Sequence, residues 1–435
     1  MDGDALDVEF LLAAAGHEIG ALRGDRRLAP LPGKRGAALR DHLLDLIGAV
    51  EHRMTQAPPA TAPHIVRRAF ARSLRQSIVM LRGAHAALPW LAGTRTPNVN
   101  LGSLYVAEEC ARILVGTNVD LIVVPDPEFM YSTTSWPFSA VVNTTSGFTP
   151  TNTRRPIVLN YPLSDADRLL LHPIFAHELG HASVDQHQLV STVETELDND
   201  PDFTTALQSK VNDMAASYWP ALAPTQISGI LRARLRDWIE ELLCDHLAIE
   251  AVGPSFMWAF VLFVLPLGYA EPGEQHPPNT VRIKLALDHL TRRGWRPHME
   301  RVAPGVTSWI DQIAGDAAGA LEPPFDFLRD QLTRHATVLQ DVATQRSGSG
   351  ALDAFVSAPQ ADEAADLLRR LILPVGLTTP LDARAILLGG WQYAFQEHGD
   401  KPPGLIAALD DRRLQELVGK AIEMSTVASA WVPSL

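Results

Sequence analysis

Residues 177–181 read His-Glu-Leu-Gly-His, and no other stretch restricts the fold of this chain so tightly. On an α-helix, residues four apart share a face, so a helix here turns the imidazoles of His177 and His181 towards one point, with Glu178 beside them. Leu169, Leu170, Leu171, Ile174, Phe175 and Ala176 form an apolar run just upstream, so the helix is expected to be buried. Two histidines and a glutamate on a buried helix need partners, because unpaired polar groups are costly away from water. A metal ion is one such partner. This spacing suits zinc, with Glu178 placed to take a proton from a water on the metal. The alternative is a half-exposed helix on which the histidines are incidental.

A catalytic zinc site takes three protein ligands and keeps a fourth position open, so a third ligand is sought downstream. Residues 237–251, DWIEELLCDHLAIEA, set Trp238, Ile239, Leu242, Leu243, Leu247 and Ile249 at helical spacing, and Gly253-Pro254 ends the helix. Glu241 and Asp245 share a face by the same rule. Glu241, 60 residues after His181, is the expected third ligand. Asp245 is the expected acceptor for the second ring N–H of a ligand histidine. Cys244 and Ala248 are small and let two helices approach. Glu240 competes for the ligand role, but it faces about 100° away and has Cys244 rather than an acid four residues on. His246 is expected to point off the ligand face. Read blandly, the segment is a surface helix with acidic residues.

Residues 273–284, GEQHPPNTVRIK, hold His276-Pro277-Pro278 and then Arg282-Ile283. Proline suits the first turn of a helix, so this is also a plain helix start, with Arg282 available for a structural ion pair. Taken in order, HELGH, ExxxD and HPPxxxRI resemble the M48-type gluzincins, zinc metallopeptidases related to the CAAX prenyl protease and the heat-shock membrane protease. The resemblance covers residues 157 to 290 or so and includes the strand–loop–helix unit PIVLNYPLSDADRLLLHPIFAHELGHA. It implies an α+β, predominantly helical fold, with a minigluzincin-like core whose small sheet packs on the HExxH and ExxxD helices. It also implies one Zn2+ held by His177, His181 and Glu241, Glu178 as general base, Asp245 as the supporting carboxylate and His276 near the active site. The chain departs from the membrane members in carrying no transmembrane helix, and Cys244 stands where Ala is usual, so a membrane or prenylated substrate is not implied. Soluble regulatory proteases with the same HELGH are close cousins; the HPPxxxRI segment favours the M48-like reading.

Composition sets outer bounds. The 435 residues, 46% hydrophobic and 20% charged, suffice for two or three domains and a substantial core. Two cysteines, Cys110 and Cys244, exclude a disulfide framework and fit a reducing compartment. The acidic start MDGDALDVEF lacks a basic n-region, so the expected location is cytoplasmic. Residues 255–270, SFMWAFVLFVLPLGYA, carry no charge. They fall short of the ~20 residues a span needs and are broken by Pro266 and Gly268, so a buried core helix is expected. The net charge of −13 excludes general affinity for nucleic acid. It is uneven: residues 1–100 hold 13 Lys and Arg against 9 Asp and Glu. Within them, residues 64–82 set Arg67, Arg68, Arg72, Arg75 and Arg82 among Ile65, Phe70, Leu74, Ile78 and Leu81. This reads as a packed helix with a solvated face, the alternative being a basic module that docks on membrane or nucleic acid.

Three regions are expected: an N-terminal helical region (1–100), a zinc metallopeptidase core (101–300) and a C-terminal helical region (301–435). Helices are predicted over 5–22, 36–55, 62–88 and 103–115. Short β-branched runs predict strands at Asp120–Pro125, Phe138–Asn143 and Pro156–Asn160. The family resemblance suggests Phe138–Asn143 as an edge to which an extended peptide could add. Residues 190–236 read as helical with an acidic Glu194–Asp202 loop. Further helices follow at 279–292, 306–320, 324–344, 351–373, 381–397 and 403–426, with Gln345–Gly350 as a flexible linker. The expected chemistry is peptide-bond hydrolysis of a protein or peptide substrate. Glu178 acts as base and His276 as oxyanion donor, with Tyr161 and Tyr218 as weaker candidates for that donor. The competing class is a regulatory or interaction protein that keeps a structural zinc site and binds a partner through its helical flanks. An intact Glu178 weighs against it, because a structural site needs no base.

Overall fold

The computed structural model describes residues 3–26, 33–93, 101–126, 131–135, 139–264, 266, 268, 276–319, 321–373 and 380–431. It is predominantly helical, with a small three-stranded sheet. In chain order the first elements are α1 (Gly3–Gly24), α2 (Gly33–Thr55), α3 (His64–Gly93), α4 (Leu101–Leu114), β1 (Val119–Asp126), β2 (Ser132–Ser135), α5 (Ser139–Thr144) and β3 (Arg155–Pro162). Then come α6 (Ile174–His187), α7 (Leu189–Asp198), α8 (Pro201–Ser217), α9 (Pro224–Val252), α10 (Pro254–Val264) and α11 (Asn279–Arg292). The chain continues through α12 (Arg296–Val302), α13 (Pro304–Gly315), α14 (Pro323–Arg334), α15 (Ala336–Ser347), α16 (Ala354–Arg369), α17 (Ala383–His398), α18 (Pro402–Asp410) and α19 (Arg412–Trp431).

Contacts divide the chain into two units. The first comprises residues 1–99, 118–126 and 132–161; the second comprises 100–117, 127–131 and 162–435. This division differs from the three regions expected. The strands group with the N-terminal helices, and the C-terminal helices group with α6 and α9.

In the first unit the helical apolar spacing closes a core. Leu11, Ala15, Ile19 and Leu22 of α1 meet Leu43, Leu46, Ile47 and Val50 of α2 and Leu74, Ile78, Leu81 and Leu88 of α3. Ile122 and Val124 of β1 and Val158 of β3 join them. The strand order is β1-β3-β2, with β2 antiparallel to β3 in a register that pairs Ser132 with Asn160 and Ser135 with Ile157. Central β3 is buried along nearly its whole length, which is why PIVLNY reads as a continuous apolar run rather than an alternating one.

One strand expectation is corrected. Phe138 lies outside the described residues, and Ser139–Thr144 is a helix. Its C-terminal turn is held by the buried Arg53 of α2. That guanidinium donates to Val141 O (3.5 Å), Thr144 Oγ1 (3.2 Å) and Thr145 Oγ1 (2.8 Å), and a cation at the C-terminal carbonyls favours the helix. Residues 139–143 therefore offer no strand edge to which a peptide could add. The strand that pairs with β3 is instead β2, whose Ser-Thr-Thr-Ser gives no apolar signal.

In the second unit α9 is the axis, and α6, α7, α8, α11 and α15 pack along it. It begins at Pro224, well before the expected residue 237, and ends at Gly253, whose φ of 59° favours glycine. The acidic loop shrinks to Asn199-Asp200, with Asp200 accepting from Asp202 N–H at 2.9 Å to cap α8. The uncharged stretch after α9 is buried from Phe256 to Val261 in the short α10, the expected core helix. Among the described residues no helix is long and apolar enough to cross a membrane. The expected flexible linker at Gln345–Gly350 is ordered instead: α15 runs through Ser347, a 3-10 turn follows, and the Arg384 guanidinium donates to Gly350 O at 2.8 Å. The helices expected at 324–344 and 403–426 are each two helices, broken at His335 and Asp411.

Arg53 also donates to Ser77 Oγ at 2.8 Å, and it carries a buried charge that holds α2, α3 and α5 together. Arg53→Ala strands these acceptors and opens a cavity, so it should lower stability by about 2–4 kcal/mol, read from urea unfolding. A loss within experimental error would show that the network contributes nothing net.

Candidate metal centre

Helix α6 carries the HELGH segment inside the second unit, and Ile174 to Gly180 are all buried. Its approach to α9 is set by Gly180. A Cβ there would lie 3.0 Å from Cys244 Cα and 3.1 Å from its Cβ, so any larger residue pushes two backbones apart. The two small residues meet, and the faces bearing His177, His181 and Glu241 converge.

Ligand atoms of His177, His181 and Glu241 all lie within 4.8 Å of one another. His177 Nε2 is 3.5 Å from Glu241 Oε2, and His181 Nε2 is 3.6 Å from Glu241 Oε1. The imidazole planes stand at 89° with centroids 5.1 Å apart, so two edges turn to one place. Among the described residues this is the one group of three or more His, Cys, Asp or Glu side chains so arranged.

The outer ring nitrogens are backed by carboxylates. His177 Nδ1 lies 2.9 Å from Asp245 Oδ1, and His181 Nδ1 lies 2.9 Å from Glu240 Oε1. The His181–Glu240 hydrogen bond fixes the tautomer that leaves Nε2 free for a cation, whereas the His177–Asp245 approach is an ion-pair contact without hydrogen-bond geometry. Asp245 thus stands where the ExxxD spacing put it. Glu240, considered above only as a competing ligand, is a second supporting carboxylate. Phe256 stacks on His177 with planes 2° apart at 6.2 Å, a contact with no signal in the sequence beyond the apolarity of α10.

Arg282 balances these acids. It donates from Nε and Nη2 to Asp245 at 2.9 and 2.8 Å, and its Nη1 lies 3.3 Å from Glu241 Oε2. Its guanidinium carbon sits 4.6 Å over the Phe260 ring, a cation–π contact. Burial works to raise the pKa of Asp245, but Arg282 and His177 outweigh it and hold the carboxyl well below the usual range. Glu241 is lowered too: burial opposes ionisation, and Arg282 with the three surrounding histidines overcomes it. Cys244 is pushed up to about 12, chiefly by burial, so it stays a neutral thiol.

Glu178 is buried next to His177 on α6, and among the described residues it has no hydrogen-bond or ion-pair partner. His276 reaches the group from the segment before α11, its Nε2 3.5 Å from Glu241 Oε1, with 52% of its side chain exposed. His246 points elsewhere, as expected, and lies against His289 with centroids 4.7 Å apart. Tyr218 donates to Glu322 at 2.9 Å, and Tyr161 belongs to the first unit. Neither joins the cluster.

The donor set fits a divalent cation. Glu241 Oε2 is buried and accepts no hydrogen bond, its near neighbours being the ion-pair contacts with Arg282 Nη1 at 3.3 Å and His177 Nε2 at 3.5 Å, so it keeps a lone pair for a cation. Two imidazoles and a carboxylate also suit zinc-type ions. No family model matches this chain, and no curated protein or solved structure matches it.

Removing Arg282 leaves two buried carboxylates without their cation, which costs about 3–5 kcal/mol at neutral pH. A lowered carboxyl pKa contributes stability above the unfolded value near ~4 and loses it as the pH falls through the folded value. Arg282→Met should therefore show its full deficit at pH 7, shrinking towards pH 4 as the orphaned carboxyls protonate. Urea unfolding across that range, with chelator present, checks this. A deficit independent of pH would assign Arg282 to packing alone.

Proposed function

We propose that this chain is a zinc-dependent metalloendopeptidase of gluzincin type, with a minigluzincin-like core around α6 and α9. One observation carries the reading: three ligand atoms converge between α6 and α9, and Glu178, the neighbour of His177 on α6, has no hydrogen-bond or ion-pair partner among the described residues. His177, His181 and Glu241 hold one Zn2+. When bound, zinc supplies a Lewis acid that polarises the scissile carbonyl and lowers the pKa of water towards ~7.

The protein's own groups do the rest. Glu178 accepts the proton of the attacking water and delivers it to the leaving amine. His276, at the exposed rim, donates a hydrogen bond to the oxyanion. Glu240 keeps His181 in the ligating tautomer, Asp245 backs His177, and Arg282 keeps Asp245 and Glu241 ionised. The substrate is a protein or peptide. Free, buried thiols at Cys110 and Cys244 suit a cytoplasmic setting.

Glu178→Gln removes the base and no ligand, so zinc content stays at the wild-type level and turnover of a peptide library drops at least 100-fold. The direct assay is N-terminomics on cells with either chain, in which new termini appear with wild type only. Turnover retained in a zinc-loaded Glu178→Gln protein refutes the base; identical termini with zinc bound point to a structural site.

Ligands and supporting residues separate by degree. Glu241→Ala should abolish stoichiometric zinc, whereas Glu240→Ala and Asp245→Asn should each weaken it about 10–100-fold, read by competition with a chromogenic chelator. Equal affinity in the Glu241 and Glu240 variants would sink the assignment.

A further inference from the structure

We propose that the exposed face of α3 docks the chain on an anionic lipid surface. This rests on the first unit and is independent of the metal centre. Although the chain carries a net charge of −13, the 30 residues of α3 include no Asp or Glu and five arginines. One face of the helix is spent on the core, through Leu74, Ile78 and Leu81. Arg67 is buried on that side, and Arg82 pairs with Glu18 at 2.7 Å.

The opposite face is different. Ile65, Arg68, Arg72, Arg75 and Val79 recur every three to four residues, so they form one stripe about 21 Å long. Arg68, Arg72 and Arg75 are exposed, and among the described residues Arg68 and Arg72 have no ion-pair partner. Aliphatic residues close the ends: Ile65 is 75% exposed and Val79 61%, with Val66 at 47% beside them. Guanidinium groups match phosphate oxygens bidentately, and flanking aliphatics enter the boundary between headgroups and acyl chains. A nucleic-acid groove would call for aromatic side chains to stack on bases, and this stripe carries none. A polynucleotide backbone offers nothing for the exposed Ile65, Val66 and Val79 to enter, and it is these residues that favour a lipid surface.

The test is flotation of the full chain with vesicles of phosphatidylcholine alone or equimolar phosphatidylcholine and phosphatidylserine, at low and physiological salt. Wild type should float with the anionic vesicles only, and less at higher salt. Arg68→Gln with Arg72→Gln should weaken this about 30-fold. Ile65→Ser with Val79→Ser should weaken vesicle binding several-fold while leaving binding to a single-stranded RNA oligonucleotide unchanged. All four side chains are solvent-facing, and matching thermal melts confirm that each variant is folded. The proposal is overturned if wild type shows no preference for anionic vesicles. It is equally overturned if the aliphatic pair proves neutral while the arginine pair lowers vesicle and RNA binding alike, which defines a general polyanion surface.

Discussion

The buried Arg282 guanidinium is the interaction on which the second unit depends. Helix α9 brings Glu240, Glu241 and Asp245 onto little more than one turn, and two of them are buried. Carboxylates so close repel each other, and burial penalises each further. Arg282 answers both terms with one residue. Two of its nitrogens hold Asp245, the third faces Glu241, and Phe260 covers its open face. A lysine could not replace it, because a point charge with one nitrogen cannot serve two carboxylates in a fixed fork.

That neutralisation organises the centre outward. With Asp245 held as an anion, its oxygen fixes His177 from behind, and Phe256 fixes the same ring from the side. His181 has a looser arrangement: 27% of its side chain is exposed, and its supporting Glu240 is 42% exposed. The centre is therefore closed around His177 and more open on the side of His181 and His276. Burial opposes the charged form of His181, while the carboxylates of Glu240, 2.9 Å from its Nδ1, and Glu241 favour it. A ligating imidazole must be neutral, so affinity for a cation falls as the solution becomes more acidic.

The sequence is most legible where a pattern is local. HELGH and ExxxD each state an i,i+4 relation within one helix, and the structure brings His177, His181, Glu241 and Asp245 together on that basis. Glu240 is the instructive case. The angular argument against it as a ligand holds, but its bond to His181 depends on how closely α6 approaches α9, which Gly180 and Cys244 settle from opposite helices. No count along one segment contains that distance. Ser139–Thr144 fails for a related reason: its short apolar run suits a strand as well as a helix, and Arg53, almost 90 residues earlier in the chain, decides between them. Strand β2, with only Ser and Thr, is specified by pairing with β3.

The geometry also bears on the choice between a catalytic and a structural site. A structural zinc site is closed by four protein ligands, and its surroundings need supply nothing more. Here three donors converge, and the flank that carries His276 is open to solvent. Glu178 is a buried acid that spends no hydrogen bond on the fold. On the proposed reading that acid carries the proton at an open metal position, a role that an interaction scaffold would not need.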